Sequence, residues 1–179
     1  MTRKLSLLAI AGSLVLTSCG TTTSLQDTHG AVITTPSRKF SKVTVLDFKI
    51  SVPNKEGKAS ESRVYFADRI AAEIRKSGKI SSVTRNAKPD ANTLVIDGVI
   101  TKYEEGNPVL RMWIAMGAGS AFFEADVYFR DSKGTTIGKI KVDKNSWALG
   151  GGIAAGQNPQ AFMDGAADKV AAEAAKLAK

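Results

Sequence analysis

Four runs of period-two alternation between Thr93 and Trp147 commit about a quarter of this chain to a sheet. Over 93–103, Leu94, Ile96 and Ile100 alternate with Val95, Val99 and Tyr103. Over 109–116, Leu110, Met112, Ile114 and Met116 alternate with Arg111, Trp113 and Ala115. Over 120–131, Phe123, Ala125, Val127 and Phe129 face away from Phe122, Glu124, Asp126, Tyr128 and Arg130. The last run, 136–147, sets Ile140 and Val142 inward and Lys139 and Lys141 outward. One wetter face per strand is the mark of a half-covered antiparallel sheet. Ser132-Lys133-Gly134 has the composition of a tight hairpin turn between the last two runs. Gly98, inside a strand, predicts a bulge or a close backbone contact.

The rest of the folded region supplies the cover. Residues 41–50 carry apolar side chains on both faces (Val43 and Val45; Leu46, Phe48 and Ile50), as an interior strand requires. Glu61–Ser77 repeats Phe66, Ala67, Ile70, Ala71 and Ile74 at helical spacing, with Ser60 as a candidate N-cap and Gly78 at the far end. Residues 80–85 form a short strand. Asn158 and Pro159 open a final helix whose stripe is Phe162, Met163, Ala166, Ala167, Val170, Ala171, Ala174 and Leu177. The expected fold is α+β: a mainly antiparallel sheet of five or six strands with two amphipathic helices on one face, one domain over 38–179.

The first 18 residues belong to a different physical problem. Arg3 and Lys4 precede an apolar run from Leu5 to Leu16, and small residues follow, which is the build of an export signal. The run contains Ser6, Gly12 and Ser13 and ends at Thr17-Ser18, so it falls short of the ~20 apolar residues a spanning helix needs. Leu16-Thr17-Ser18-Cys19 resembles a bacterial lipobox, and Cys19 is the one cysteine in the chain. That resemblance implies cleavage before Cys19, three acyl chains on it, and an anchor that holds permanently where one chain holds only marginally. Residues 19–37, with Thr-Thr-Thr-Ser, Gly30 and Pro36, read as the lipidated terminus and a flexible tether spanning roughly 20 to 25 Å. Gly20, where an Asp would favour inner-membrane retention in that pattern, implies an outer-membrane anchor facing the periplasm. Loss of Arg3 and Lys4 lowers the net charge of +8 by two, so the mature chain stays basic. Export makes nucleic acid an improbable partner; anionic headgroups or acidic envelope polymers are the natural counter-charges.

Chemistry has few places to reside. The only histidine, His29, sits in the tether, so Ser-His, Cys-His and thiolate-zinc centres are excluded from the domain and neither a metal site nor a cofactor is expected. Gly117-Ala118-Gly119-Ser120 lies between strands rather than before a helix, which favours a turn over a phosphate cradle. Gly150, Gly151 and Gly152 do precede a helix and are a candidate anion loop, without the lysine and hydroxyl of a P-loop. Glu124 and Asp126 share a strand face and suit general acid–base work, but Arg130, Lys139 and Lys141 across the hairpin make ion pairing the more economical use. Met112, Trp113 and Met116 beside Phe122 and Phe123 concentrate large apolar groups and form a candidate partner surface. The function expected is a lipid-anchored binding or assembly module without a catalytic centre, its partner a second copy or another envelope protein; the alternative is a carboxylate-based envelope hydrolase or an anion-binding protein.

The order of Val43–Phe48, Ala67-Asp68-Arg69-Ile70, Leu94–Gly98, Arg111 through Ser120 into Phe123–Val127, a glycine-rich loop and an alanine-rich last helix resembles the domain-of-unknown-function family 4410, over about Phe40 to Lys179. That family implies an envelope lipoprotein domain and brings no activity. The opening strand and helix are more distantly similar to the periplasmic α/β domain of the curli-secretion lipoprotein family, whose members form rings; the long membrane hairpins of that family have no counterpart here.

Overall fold

The computed structural model describes residues 40–52, 57–107, 121–145 and 158–178. Strands β1 (Lys42–Val45), β2 (Lys49–Ile50), β3 (Ser82–Arg85), β4 (Thr93–Glu104), β5 (Phe122–Arg130) and β6 (Thr136–Asn145) form one sheet in the order β3-β1-β4-β5-β6, with β2 also on β4. Helices α1 (Lys58–Ser77) and α2 (Pro159–Lys176) pack side by side on one face. The long strands β4, β5 and β6 make an antiparallel meander from three of the four alternating runs; the fourth, 109–116, lies outside the described residues. The short N-terminal strands join it in parallel, β3 to β1 and both β1 and β2 to β4, so the sheet is mixed. A parallel neighbour needs a long return path, and α1 supplies it between β1 and β3. The apolar run 41–50 is two strands rather than one. It breaks at Leu46–Phe48, yet Leu46 N donates to Ile96 O at 2.9 Å and Ser51 N to Ile100 O at 2.8 Å, which keeps both pieces on β4.

The break has a use. It turns Phe48 under α1, where the Phe48 ring lies 4.9 Å from Phe66 and Phe66 lies 5.0 Å from Phe123, edge to face. All three rings are buried. Gly98 is the floor beneath this stack: a Cβ there would come closer than 3.0 Å to both the Phe48 ring and the Asp126 carbonyl. The close contact predicted for Gly98 is therefore with a ring and a neighbouring strand. Asn158 caps α2 as expected, its Oδ1 accepting from Ala161 N at 2.9 Å, with Pro159 next. Gly78 ends α1 in the left-handed region at φ 64. Ser60 does not cap α1. The helix begins at Lys58 after Gly57, because Lys58, Ala59 and Ser60 are competent helix formers and the extra turn buries Ala59.

The two faces of the sheet differ. Behind β1, the segment 86–92 doubles back along the strand, and Thr44, fully buried, accepts from Ala87 N through Oγ1 at 3.1 Å. This loop, not a second helical layer, gives β1 its two-sided burial. Over β4, β5 and β6 the same face carries polar and aromatic groups. At one pole the chain enters the fold beside its other end: Phe40 N donates to Leu177 O at 2.9 Å and Phe40 bridges Ala178. Among the described residues no helix is long and apolar enough to cross a membrane.

Candidate functional site

The β4–β6 face is built by alternation. Because Phe123, Ala125, Val127 and Phe129 point to the helices, Phe122, Glu124, Asp126, Tyr128 and Arg130 are delivered to the opposite side. Register then sets neighbours: Asp97 on β4 and Lys139 on β6 both lie opposite Tyr128. Arg130 Nε donates to Asp97 Oδ2 at 2.8 Å, and its Nη1 donates to Thr136 Oγ1. Lys139 Nζ sits 3.0 Å from Asp126 Oδ2. These four charged side chains are each 25% to 29% exposed, with the Tyr128 ring between the cations, 4.8 Å from the Arg130 guanidinium and 5.2 Å from the Lys139 ammonium. Partial burial pulls Lys139 toward neutrality, but the hydrogen bond and charge of Asp126 outweigh it and hold the ammonium above its ordinary value. Further along, Lys102 lies 3.8 Å from the Phe122 ring centre.

Asp126 thus takes the cross-strand ion pair that its position predicts, with Lys139. Glu124 does not join it: its cross-strand neighbours are Asp143 on β6 and Lys102 on β4. A general acid–base pair needs two carboxyls converging on one reacting atom. Here Asp126 is committed to a cation, and Glu124 lies between Asp143 on one side and Lys102 on the other.

Two polar clusters lie elsewhere. Between the helices, Asp164 accepts from Tyr65 Oη at 2.9 Å and from Arg69 Nε at 2.7 Å, and Arg69 reaches Glu73 at 3.3 Å. Burial, then Asp164, raises the Tyr65 phenol, while the Lys76 hydrogen bond leads the groups that hold Glu73 low. A shallow groove of about 300 Å³ follows, lined by Glu73, Lys76, Lys79 and Asp168 over an alanine floor of Ala171 and Ala175. At the carboxyl ends of β1 and β3, Arg85 clamps Asp47 at 2.5 Å and Asp68 at 2.7 Å and donates to Val45 O. That hydrogen bond leads the forces that lower the Asp47 carboxyl. Sequence patterning missed both clusters, because their members are far apart in the chain and each looks like an ordinary helix-surface or strand-end charge. Among the described residues no group of three or more His, Cys, Asp or Glu side chains is placed to hold a metal ion.

Cys19, the Met112, Trp113 and Met116 cluster, the Gly117–Ser120 turn and the Gly150, Gly151 and Gly152 loop all lie outside the described residues.

The profile of a family described as "Domain of unknown function (DUF4410)" matches residues 43–150. No curated protein matches the chain. Among solved structures, the PelC dodecamer from Paraburkholderia phytofirmans superposes with a TM-score of 0.53 at 12% identity, covering 79% of this chain and 91% of that one. A single-substitution variant of the same dodecamer gives 0.54 at 12% identity, over 79% and 90%. A putative neuraminyllactose-binding hemagglutinin homolog from Helicobacter pylori gives 0.38 at 13% identity, over 78% and 84%.

Proposed function

The chain belongs to the DUF4410 family, and since membership brings no activity with it, we propose from the geometry that it is a lipid-anchored, periplasm-facing module of the bacterial envelope that works by assembly, with itself or with another envelope protein. The observation that carries this reading is the open face over β4–β6. It is broad and spread along three strands, Arg130 is paired with Asp97 and Lys139 with Asp126, and aromatic rings lie against its cations. Such a face suits contact with another protein surface, where aromatic and Arg side chains are favoured. The hydrolase alternative needs a free converging carboxyl pair, and of the acids here Asp126 and Asp97 are held by cations. The fold is also that of a protein that forms dodecamers, which makes a second copy the first partner to test. The anchor is Cys19, in the outer membrane, and the Met112, Trp113 and Met116 run is proposed to extend the partner surface.

The test has two arms. Labelled palmitate should be incorporated by the wild-type chain and not by Cys19→Ser. Sedimentation velocity of the detergent-solubilised protein, with cross-linking in intact envelopes, should show an oligomer or a defined heteromeric band. A monomer at every concentration with no cross-linked partner rejects the assembly reading.

A further inference from the structure

The pole where the tether meets the fold is shared by the start of β1, the C-terminal ends of both helices and the β5–β6 turn. Cys19 is thus joined to the fold at this pole. Six cationic side chains lie there: Lys42, Arg75, Lys76, Lys79, Lys133 and Lys176, all exposed. Five carboxylates accompany them, and their placement decides the outward field; Asp168, exposed beside Lys76 and Lys79 in the alanine-floored groove, offsets part of it. Glu73 and Glu173 are only 11% and 14% exposed, whereas the lysines they bind, Lys76 and Lys176, are 77% and 65% exposed. In both pairs the carboxylate lies beneath and the ammonium stands outside. Asp131 is engaged in its own exposed turn, accepting from Lys133 N and Thr135 N at 2.9 Å each. Only Asp90, paired with Lys42, matches its partner in exposure. Lys79 and Lys133 make no ion pair with a described residue. Helix C-termini carry about half a negative charge each, which Arg75, Lys76 and Lys176 complement. Lys79 and Lys133 stand beyond them.

Among the described residues of the opposite pole the sorting is weaker: Lys58 and Glu105 are 65% and 47% exposed, and in the Lys102–Glu104 pair the acid is the more exposed.

We infer that the tether pole is a docking surface for the anionic phospholipid headgroups of the leaflet that holds the anchor. The inference rests on the Cys19 anchor proposed above. A tether of this length lets the pole reach the surface, and the sorted ion pairs present ammonium groups to it. Each lysine near an anionic surface contributes about fivefold to partitioning. The domain then lies with its helix axes steep to the membrane and its open face sideways, free to meet a neighbour anchored in the same leaflet.

The test uses the unlipidated mature chain, residues 19–179 carrying Cys19→Ser, which contains every described residue. It should co-sediment with phosphatidylglycerol–phosphatidylethanolamine vesicles at millimolar lipid and low salt, and not with phosphatidylcholine vesicles. Raised salt should release it. K76Q/K79Q/K133Q should weaken partitioning roughly a hundredfold, three fivefold steps, with an unchanged circular dichroism melt; K58Q/K102Q at the other pole should change it less than twofold. Equal binding to phosphatidylcholine, no binding to either vesicle, or equal losses from the two variant sets overturns the inference. Palmitate labelling separates the two readings. Label on Cys19 without vesicle binding sinks the docking pole alone, and vesicle binding without label sinks the anchor alone.

Discussion

Gly98 shows how one residue without a side chain holds a layer together. The Phe48 ring occupies the space a Cβ would take, and the Asp126 carbonyl of the paired strand closes it from the other direction. A ring can shift, but a hydrogen-bonded strand cannot without disturbing its ladder. Gly98→Ala is therefore expected to destabilise the domain by about 1 to 3 kcal/mol, the usual cost of overpacking, measured by urea unfolding. An unchanged midpoint would mean the Phe48–Phe66–Phe123 stack has slack that its spacing does not show. At the far end of β1, the Asp47 carboxyl is held low first by the Arg85 hydrogen bond. A carboxyl depressed in the folded state adds stability that is complete above its unfolded value and is lost as pH falls through the folded value. Stability should thus decline as pH drops below about 3.8, and the Asp90 carboxyl, lowered to about 2 chiefly by Lys42, extends the decline to about pH 2. Tyr103 works at the other extreme: burial, then Glu105, pushes its phenol up to about 12, so the folded form loses stability from about pH 10 upward. Comparing pH–stability curves of wild type and Tyr103→Phe isolates this contribution: the wild-type curve should fall more steeply between 10 and 12 than that of the variant, which keeps the Tyr65 and Lys139 contributions.

Two very different contacts join α1 to its surroundings, and their magnitudes rank them. The Tyr65–Arg69–Asp164 seam is specific in geometry, yet Arg69 and Asp164 are 38% and 41% exposed, where ion pairs are worth about 0 to 1 kcal/mol. Phe66 is fully buried between two rings. Asp164→Ala should cost under about 1 kcal/mol and Phe66→Ala about 3 to 5 kcal/mol, by chemical denaturation. The reverse order would show that the helices are held by their seam rather than by the aromatic layer. The same contrast explains what could be read from the amino acids. Apolar spacing is a local signal, so α1, α2, the β4–β6 meander, the Asn158 cap and the Gly98 contact were all legible. Strand direction is not encoded in alternation, so the parallel pairing of β1, β2 and β3 was not. Nor was the origin of two-sided burial on β1, since 86–92 is a polar stretch whose path over Thr44 depends on where β4 begins. Of the site, ion pairing of Asp126 with a lysine of the next strand was legible, but the choice of Lys139 was not, because the register sets Lys141 opposite Asp126 and the pair forms on the diagonal. Arg130 pairing with Asp97 was not, because it crosses to a strand 33 residues away in sequence.

For the whole molecule the two proposals together imply a division of labour among surfaces: helices cover one face of the sheet, the proposed docking pole takes the membrane, and the open face is left for assembly. If assembly uses the open face, its aromatic groups should matter more to association than to folding. Tyr128 is the sharpest probe. It is half-buried, it lies between Arg130 and Lys139, and no core side chain depends on it for cover. Tyr128→Ala removes ring contacts worth about 0.5 to 1 kcal/mol each at exposed sites, so unfolding should shift by no more than about 2 kcal/mol. An interfacial tyrosine, by contrast, is among the side chains whose truncation commonly costs 2 kcal/mol or more of binding, a dissociation constant weakened about thirtyfold or more. Sedimentation velocity across a concentration series, run on the mature protein and on Tyr128→Ala and Trp113→Ala, reads this directly. Loss of association in both variants places Tyr128 and Trp113 on one continuous interface. Loss in Trp113→Ala alone would put the contact outside β4–β6 and refute the open face as the assembly surface, because a ring buried between two partners cannot be removed without consequence.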